Sequence, residues 1–436
     1  MNYKKSRRTM IFSFLFIALC LAAGCNHNNP HGKASDVTDY IQGHGNKKLT
    51  LLVYMAADND LESYALENMK AMERADLKNM NVLVLMDRSE DYDETDGNWT
   101  DTRLFELEHD DTDGSFIISR RLDCPALGLS SQIPTELDMA NPMVLSNFIQ
   151  FAKKNYRSQQ YALIIWGHGT GWRYSNSNAA VRAVALDDKS GNFMSIADMG
   201  KALKNQGLAV IGFDTCFGGV FENIYELKEM AAYSVASPGI TPSAGWDYQK
   251  LLSSLEAGDF SSKSIALCMA QSASAGITVF DNTKLEDAMN ALEAFSQGLA
   301  QTIVDMPSQT RVFNQLMSVK SYVYTQFPCD RYLDIPSLAA FYSTQGEGRL
   351  VQEAQNLKEK ISALTVAAGS QNASGVGINF IPMTSPGVTA LSHSRDYIKD
   401  ENLSDQCAFI KESQWWVPTK DRESDSLLNK LFYRSY

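Results

Sequence analysis

What most constrains this chain is a series of short, almost wholly apolar runs alternating with stretches of helical spacing. The clearest runs are Leu49–Ala57, Val82–Met86, Tyr161–Trp166, Ala209–Phe213 and Tyr233–Ala236. Strand-like runs alternating with helical patterns build a largely parallel sheet covered by helices, so the expected class is α/β. Between the first two runs Leu61, Ala65, Met69 and Met72 recur at helical spacing, a core stripe that needs no functional reading. Arg103–Glu108 and Phe116–Arg120 alternate around Asp110-Asp111-Thr112-Asp113-Gly114 and predict a β-hairpin. Asn141-Pro142 opens a helix with a cap and a first-turn proline, and Ser195-Ile196-Ala197-Asp198 opens another. Further on, the pattern predicts a strand at Ile277–Phe280, a long helix through Lys284–Met306, a helix near Leu350–Leu364 and a strand at Val376–Ile381.

The N-terminus reads as an export signal. Lys4, Lys5, Arg7 and Arg8 precede an apolar run from Met10 to Leu21, too short for a permanent membrane span. Leu21-Ala22-Ala23-Gly24-Cys25 reads as a lipobox, in which Cys25 is acylated and becomes the mature N-terminus. An ordinary signal peptide containing a cysteine is the plainer alternative. On the lipobox reading residues 1–24 are removed, and the lipid at Cys25 makes the membrane a partner in the cell envelope. Polar residues 25–48 then form a flexible tether, because they cannot bury enough apolar surface to fold. The net charge of −12 argues against nucleic-acid binding. Beyond the leader, Cys124, Cys216, Cys268, Cys329 and Cys407 are scattered, without a CxxC pair. That pattern disfavours zinc or thioredoxin-type chemistry, and an odd number in an exported chain leaves at least one thiol unpaired within it.

In an α/β sheet, chemistry gathers beyond the carboxyl ends of the strands, which singles out the loops after Trp166 and Phe213. The first is Gly167-His168-Gly169-Thr170-Gly171-Trp172. A histidine directly after a buried strand, between glycines, has little steric cover and can reach a substrate or a nucleophile. The plainer reading is a structural turn histidine. His109 and His393 fall in an acidic hairpin and a serine-rich loop and read as surface residues. The second loop is Asp214-Thr215-Cys216-Phe217-Gly218-Gly219, before a helix expected through Val220–Met230. A thiol near a helix N-terminus is expected to have a lowered pKa, and the glycines can free backbone N–H groups for an oxyanion hole. An inert buried cysteine is the common alternative, but a histidine on a neighbouring strand favours catalysis. Asp214, two residues before the thiol, faces the same side and could receive a positive substrate side chain or simply cap the helix.

WGHGTGW and FDTCFGG, about fifty residues apart, resemble the clostripain peptidases, relatives of caspases, legumain and gingipains. YMAADNDLE after the first strand and the TELDMANP segment also resemble that family, and the similarity runs from about residue 49 to 250 and thinly beyond. The resemblance implies a caspase-like fold, a mostly parallel central sheet flanked by helices with additional C-terminal helical elements. The peptidase domain would span 49–395, with 396–436 packed on it. It implies a cysteine endopeptidase with a His168–Cys216 dyad and an oxyanion hole from the N–H groups of Gly169 and Cys216. Asp214 would line a pocket for an Arg or Lys before the scissile bond, so the partners are peptides with basic residues. Self-cleavage would fall after Arg182, with Arg173 second, although Arg182 could be a solvated surface arginine. Where relatives carry an acidic stretch this chain has Val235-Ala236-Ser237-Pro238-Gly239-Ile240-Thr241-Pro242-Ser243-Ala244-Gly245-Trp246. Several acidic positions are lost there, while Asp247 beyond it could add charge to the pocket. No HExxH or histidine cluster suggests a metal, so no cofactor is expected, and calcium enters only through the resemblance. A nucleotide-binding loop fits poorly, and no GxSxG elbow supports a serine hydrolase. A non-catalytic surface lipoprotein on the same fold is the remaining alternative.

Overall fold

The computed structural model describes residues 46–90, 92–112, 114–172, 184–273, 276–323, 330–366, 375–382, 407–409, 413–415 and 425–432. The first ten strands in chain order are β1 (Lys47–Ala57), β2 (Met80–Arg88), β3 (Arg103–Glu106), β4 (Arg120–Leu122), β5 (Ser158–Trp166), β6 (Val184–Asp187), β7 (Asn192–Met194), β8 (Leu208–Asp214), β9 (Ala231–Ala236) and β10 (Thr278–Asp281). All except β6 and β7 join one nine-stranded sheet, ordered β10-β9-β8-β5-β1-β2-β3-β4, with Thr365–Val366 outside β10. The five central strands, β9, β8, β5, β1 and β2, run parallel. The strands at both edges are antiparallel. β6 and β7 pair with each other as a separate hairpin.

The central strands are buried on both faces, and alternate residues feed two cores. In β1, Leu52, Tyr54 and Ala56 point to one core, and Leu51, Val53 and Met55 to the other. Helices 142–155, 196–203 and 285–301 cover the first face, and 62–73, 248–257 and 262–272 the second. This is the expected α/β architecture.

Local departures have local causes. The hairpin partner is Arg120–Leu122 rather than Phe116–Arg120, because the N–H groups of Ile117, Ile118 and Ser119 donate to the carboxylates of Asp96 and Glu73. The long helix expected through Met306 ends at Gln301, and a second begins at Met306. There Asp305 and Ser308 form a reciprocal capping box beside Pro307, which fixes a new start. The helix after Cys216 covers only Phe221–Glu226. A small sheet of Ser321–Tyr322, Asp330–Asp334 and Gly377–Pro382 extends the molecule beside it.

Candidate active site

Strand β1 leads outward to β2 on one side, and β5 leads through β8 to β9 on the other. The strand order therefore reverses between β1 and β5. Crevices form beyond the carboxyl ends at such a reversal. Asp58-Asn59-Asp60 follows β1 and His168 follows β5 at this point, and Cys216 follows β8 next door. Trp166 of β5 pairs with Asp214 of β8, so His168 and Cys216 each stand two residues beyond a matched register.

The glycines let the two loops touch. A Cβ on Gly169 would lie 2.3 Å from the Cys216 carbonyl oxygen and 2.9 Å from the Thr215 side chain. Gly167 has φ +138°, and a Cβ there would meet the Ala56 carbonyl at 2.9 Å. Only glycine permits both the dihedral and the approach. Phe217, directly after the thiol, takes the left-handed region at φ 53°, an unfavourable place for a bulky residue that marks a sharp turn. Its N–H donates to the Gly239 carbonyl at 2.7 Å, and that of Gly219 to the Ser237 carbonyl at 2.7 Å.

His168 is partly exposed, and its Nε2 lies 2.6 Å from Asp60 Oδ1. Asp60 can orient the imidazole, although its own side chain is 65% exposed, so solvent weakens the pairing. Sequence reasoning singled out neither Asp60 nor Tyr332. Asp60 lies in the YMAADNDLE segment that carries part of the family resemblance, but no role was attached to it there. Tyr332 comes from the small C-terminal sheet. Its hydroxyl donates to the Thr170 carbonyl at 3.0 Å and its ring lies 5.6 Å from that of Phe217, so it braces both loops.

Cys216 is partly buried. Thr241 N–H donates to its Sγ at 3.3 Å, and Thr241 Oγ1 donates to the Thr215 carbonyl at 2.9 Å. Segment 237–246 thus folds over the thiol. Burial pushes the Cys216 pKa up, the Thr241 N–H opposes this, and the Asp214 charge adds to the rise. The expected lowering by a helix dipole is corrected here. The helix starts only at Phe221, after Val220 in extended backbone, and desolvation outweighs it.

Asp214 is buried on the opposite face of the strand end from Phe213. Its Oδ2 accepts from Trp246 N–H and Tyr248 O–H, each at 3.0 Å. Its Oδ1 has no hydrogen-bond partner among the described residues. Burial raises its pKa to about 7, against the opposing effect of those two donors. Asp247 is an exposed N-cap whose carboxylate accepts from Lys250 N–H at 3.0 Å, in the helix Tyr248–Ala257. Capping is the favoured use of Asp at that position. Arg173, Arg182 and Cys25 lie outside the described residues.

An α/β sheet that brings a thiol and an imidazole to adjacent strand ends, on loops held together by glycine, defines the framework of a cysteine-peptidase class. The clostripain family model (peptidase family C11) matches residues 53–374, and the chain belongs to that family. Clostripain of Hathewaya histolytica is 28% identical over 281 residues, 58% of this chain and 52% of its own. The chain thus spans about half the length of that curated relative. The inactive zymogen of a C11 protease from Parabacteroides distasonis superposes with TM-score 0.57 at 19% identity, covering 83% of this chain and 99% of that one. A secreted C11 cysteine protease from Bacteroides thetaiotaomicron, in complex with an irreversible peptide inhibitor, gives TM-score 0.54 at 21% identity. Its match covers 81% of this chain and 97% of the other. These likenesses establish the fold.

Proposed function

We propose that the protein is a cysteine endopeptidase that hydrolyses peptide bonds after basic residues. The observation that carries this reading is the packing of the His168 loop onto the Cys216 loop, with Gly169 against the Cys216 carbonyl. On this reading the N–H groups of Gly169 and Cys216 form the oxyanion hole, and the close packing of the two loops supports it. His168 takes the Cys216 proton, and the thiolate attacks the scissile carbonyl. The two amides hold the oxyanion, and the imidazolium protonates the leaving amine. Water activated by His168 then releases the acyl group. Asp60 positions the imidazole. The unpartnered, buried Asp214 Oδ1 favours a guanidinium or ammonium as its missing partner, which is the basis for the basic-residue preference.

Export and a lipid anchor at Cys25 belong to the same proposal. They are supported by the leader sequence and by the secreted relative.

An arginine chloromethylketone tests the reading. It should label Cys216 with one equivalent, and Cys216→Ala should abolish both labelling and cleavage of fluorogenic Arg peptides. Unchanged cleavage by Cys216→Ala would sink the proposal. Labelling without any peptide cleavage would leave a binding lipoprotein instead.

A further inference from the structure

The two ends of the parallel strands carry opposite charge. Residues 46–48, 76–79, 153–157, 204–207 and 228–230 lead into β1, β2, β5, β8 and β9. Lysine and arginine dominate these stretches, and their only acids are Asp76 and Glu229. Asp76 is engaged with Lys78 at 3.1 Å. Glu256, which reaches this end from the helix Tyr248–Ala257, accepts from Asn79 N–H at 2.9 Å. The stretches lie side by side: Lys47 N–H donates to the Arg157 carbonyl, Lys48 N–H to the Asn79 carbonyl, and the Lys153 ammonium to the Gln206 carbonyl. Lys48, Lys154, Arg157 and Lys204 are exposed, and none ion-pairs with a carboxylate among the described residues. At the carboxyl ends stand Asp58, Asp60, Asp87, Glu90 and Asp214 instead. The whole chain carries −12, so the basic end is a local feature and not a reflection of composition.

We propose that this basic end docks on an anionic phospholipid surface, which leaves the Cys216 cleft facing away from the membrane. Connectivity argues for that occupant. The polar tether read from the sequence, with the lipid of Cys25, enters β1 at Lys47, between β5 and β2 and so within the basic end. For where the membrane is held, the proposal rests on the lipid-anchor reading. A tether of about 20 residues spans roughly 25 Å on average, so the anchored surface stays within reach of the end the tether joins. Anionic headgroups attract lysine and arginine within a Debye length, about 8 Å at physiological salt, and repel the acidic end. The lipid holds the basic end at high local concentration over the headgroups, so two weak attachments reinforce each other. Strand β1 has 11 residues and at about 3.3 Å each spans about 35 Å. The cleft therefore stands several Debye lengths above the headgroups, open to soluble peptides.

The mature chain carrying Cys25→Ser, which cannot be acylated, isolates the protein face. At low salt it should co-sediment with vesicles of mixed phosphatidylcholine and phosphatidylglycerol, and not with vesicles of phosphatidylcholine alone. Salt at about 0.5 M should release it. Lys154→Glu with Arg157→Glu should weaken binding at least about tenfold. Lys250→Glu with Lys358→Glu makes the same charge change away from the strand starts and should weaken it about threefold at most. Both double variants should melt with the parent chain, because all four side chains are exposed. Equal binding to the neutral vesicles, no binding to the anionic ones, or equal losses in the two double variants would overturn the proposal. Cleavage of soluble Arg peptides by the same variants reports the peptidase reading, and the mass of the native N-terminus reports the lipid, so either failure is distinguishable from this one.

Discussion

Asp214 sits where its charge state matters at neutral pH. Burial holds its pKa near 7, so the carboxylate is about half protonated there in the free protein. If it receives the basic side chain, kcat/KM for Arg peptides should climb as pH rises through about 7. The raised Cys216 pKa pushes the same limb upward. Asp214→Asn keeps the shape and removes the charge. It should cost about 3 kcal/mol, roughly a hundredfold in kcat/KM, for Arg peptides and far less for uncharged ones. Stability carries the matching sign. The folded pKa lies above the ordinary carboxylate value of 3.8, so stabilisation is complete below that value and lost as pH rises through about 7. Melting curves of Asp214→Asn should lack that decline. Equal losses on Arg and uncharged peptides would remove Asp214 from substrate recognition. The sequence made His168 and Cys216 legible, because reactive side chains directly after buried strands are rare. It could not reveal Asp60 as a partner, since exposed acids after strands are ordinary. It also misjudged the titration of Cys216, because burial depends on segment 237–246, which is distant in sequence.

Elements decide what a cut in the connection between β5 and β8 would do. β5 belongs to the segment before Arg182 and β8 to the segment after it, yet they are paired neighbours in the sheet, from Ala162 with Val210 to Trp166 with Asp214. Cleavage after Arg182 should therefore give two bands on a denaturing gel, the second beginning at Ala183, but one peak in gel filtration. Cys216→Ala should remain a single chain. Fragments that separate without denaturant, or an intact chain with full activity, would contradict this. The parallel strands were readable because each is apolar throughout its length. The edges were harder. β4 lost its first residues to carboxylates of Asp96 and Glu73, a long-range competition that alternation alone does not show.

At the scale of the whole molecule, the family match ends at residue 374, yet the core does not. Cys407, Phe409, Trp415, Leu427, Leu428, Leu431 and Phe432 are each at most 3% exposed and belong to the same core as Phe221, Tyr225 and Phe295. Polar contacts pin these pieces as well. Trp415 Nε1 donates to the Asn379 carbonyl at 2.7 Å, and Ala408 N–H to Glu226 Oε2 at 2.6 Å. Fully burying each large apolar side chain is worth about 1.5–3 kcal/mol, so the gross contribution of the group, before the entropy of ordering these pieces, is roughly 10–20 kcal/mol, comparable with or above the whole stability of an ordinary domain. The strand Gly377–Pro382 lies between this patch and the Cys216 loop, where Gly377 N–H donates to the Gly219 carbonyl and Asn379 N–H to Glu222. A chain stopped after residue 395 should therefore lose its cooperative melting and bind a hydrophobic dye. It should also lose Cys216 labelling, although every residue assigned to the chemistry is still present. An unchanged melting temperature in that chain would show that the C-terminal pieces only rest on a core complete without them.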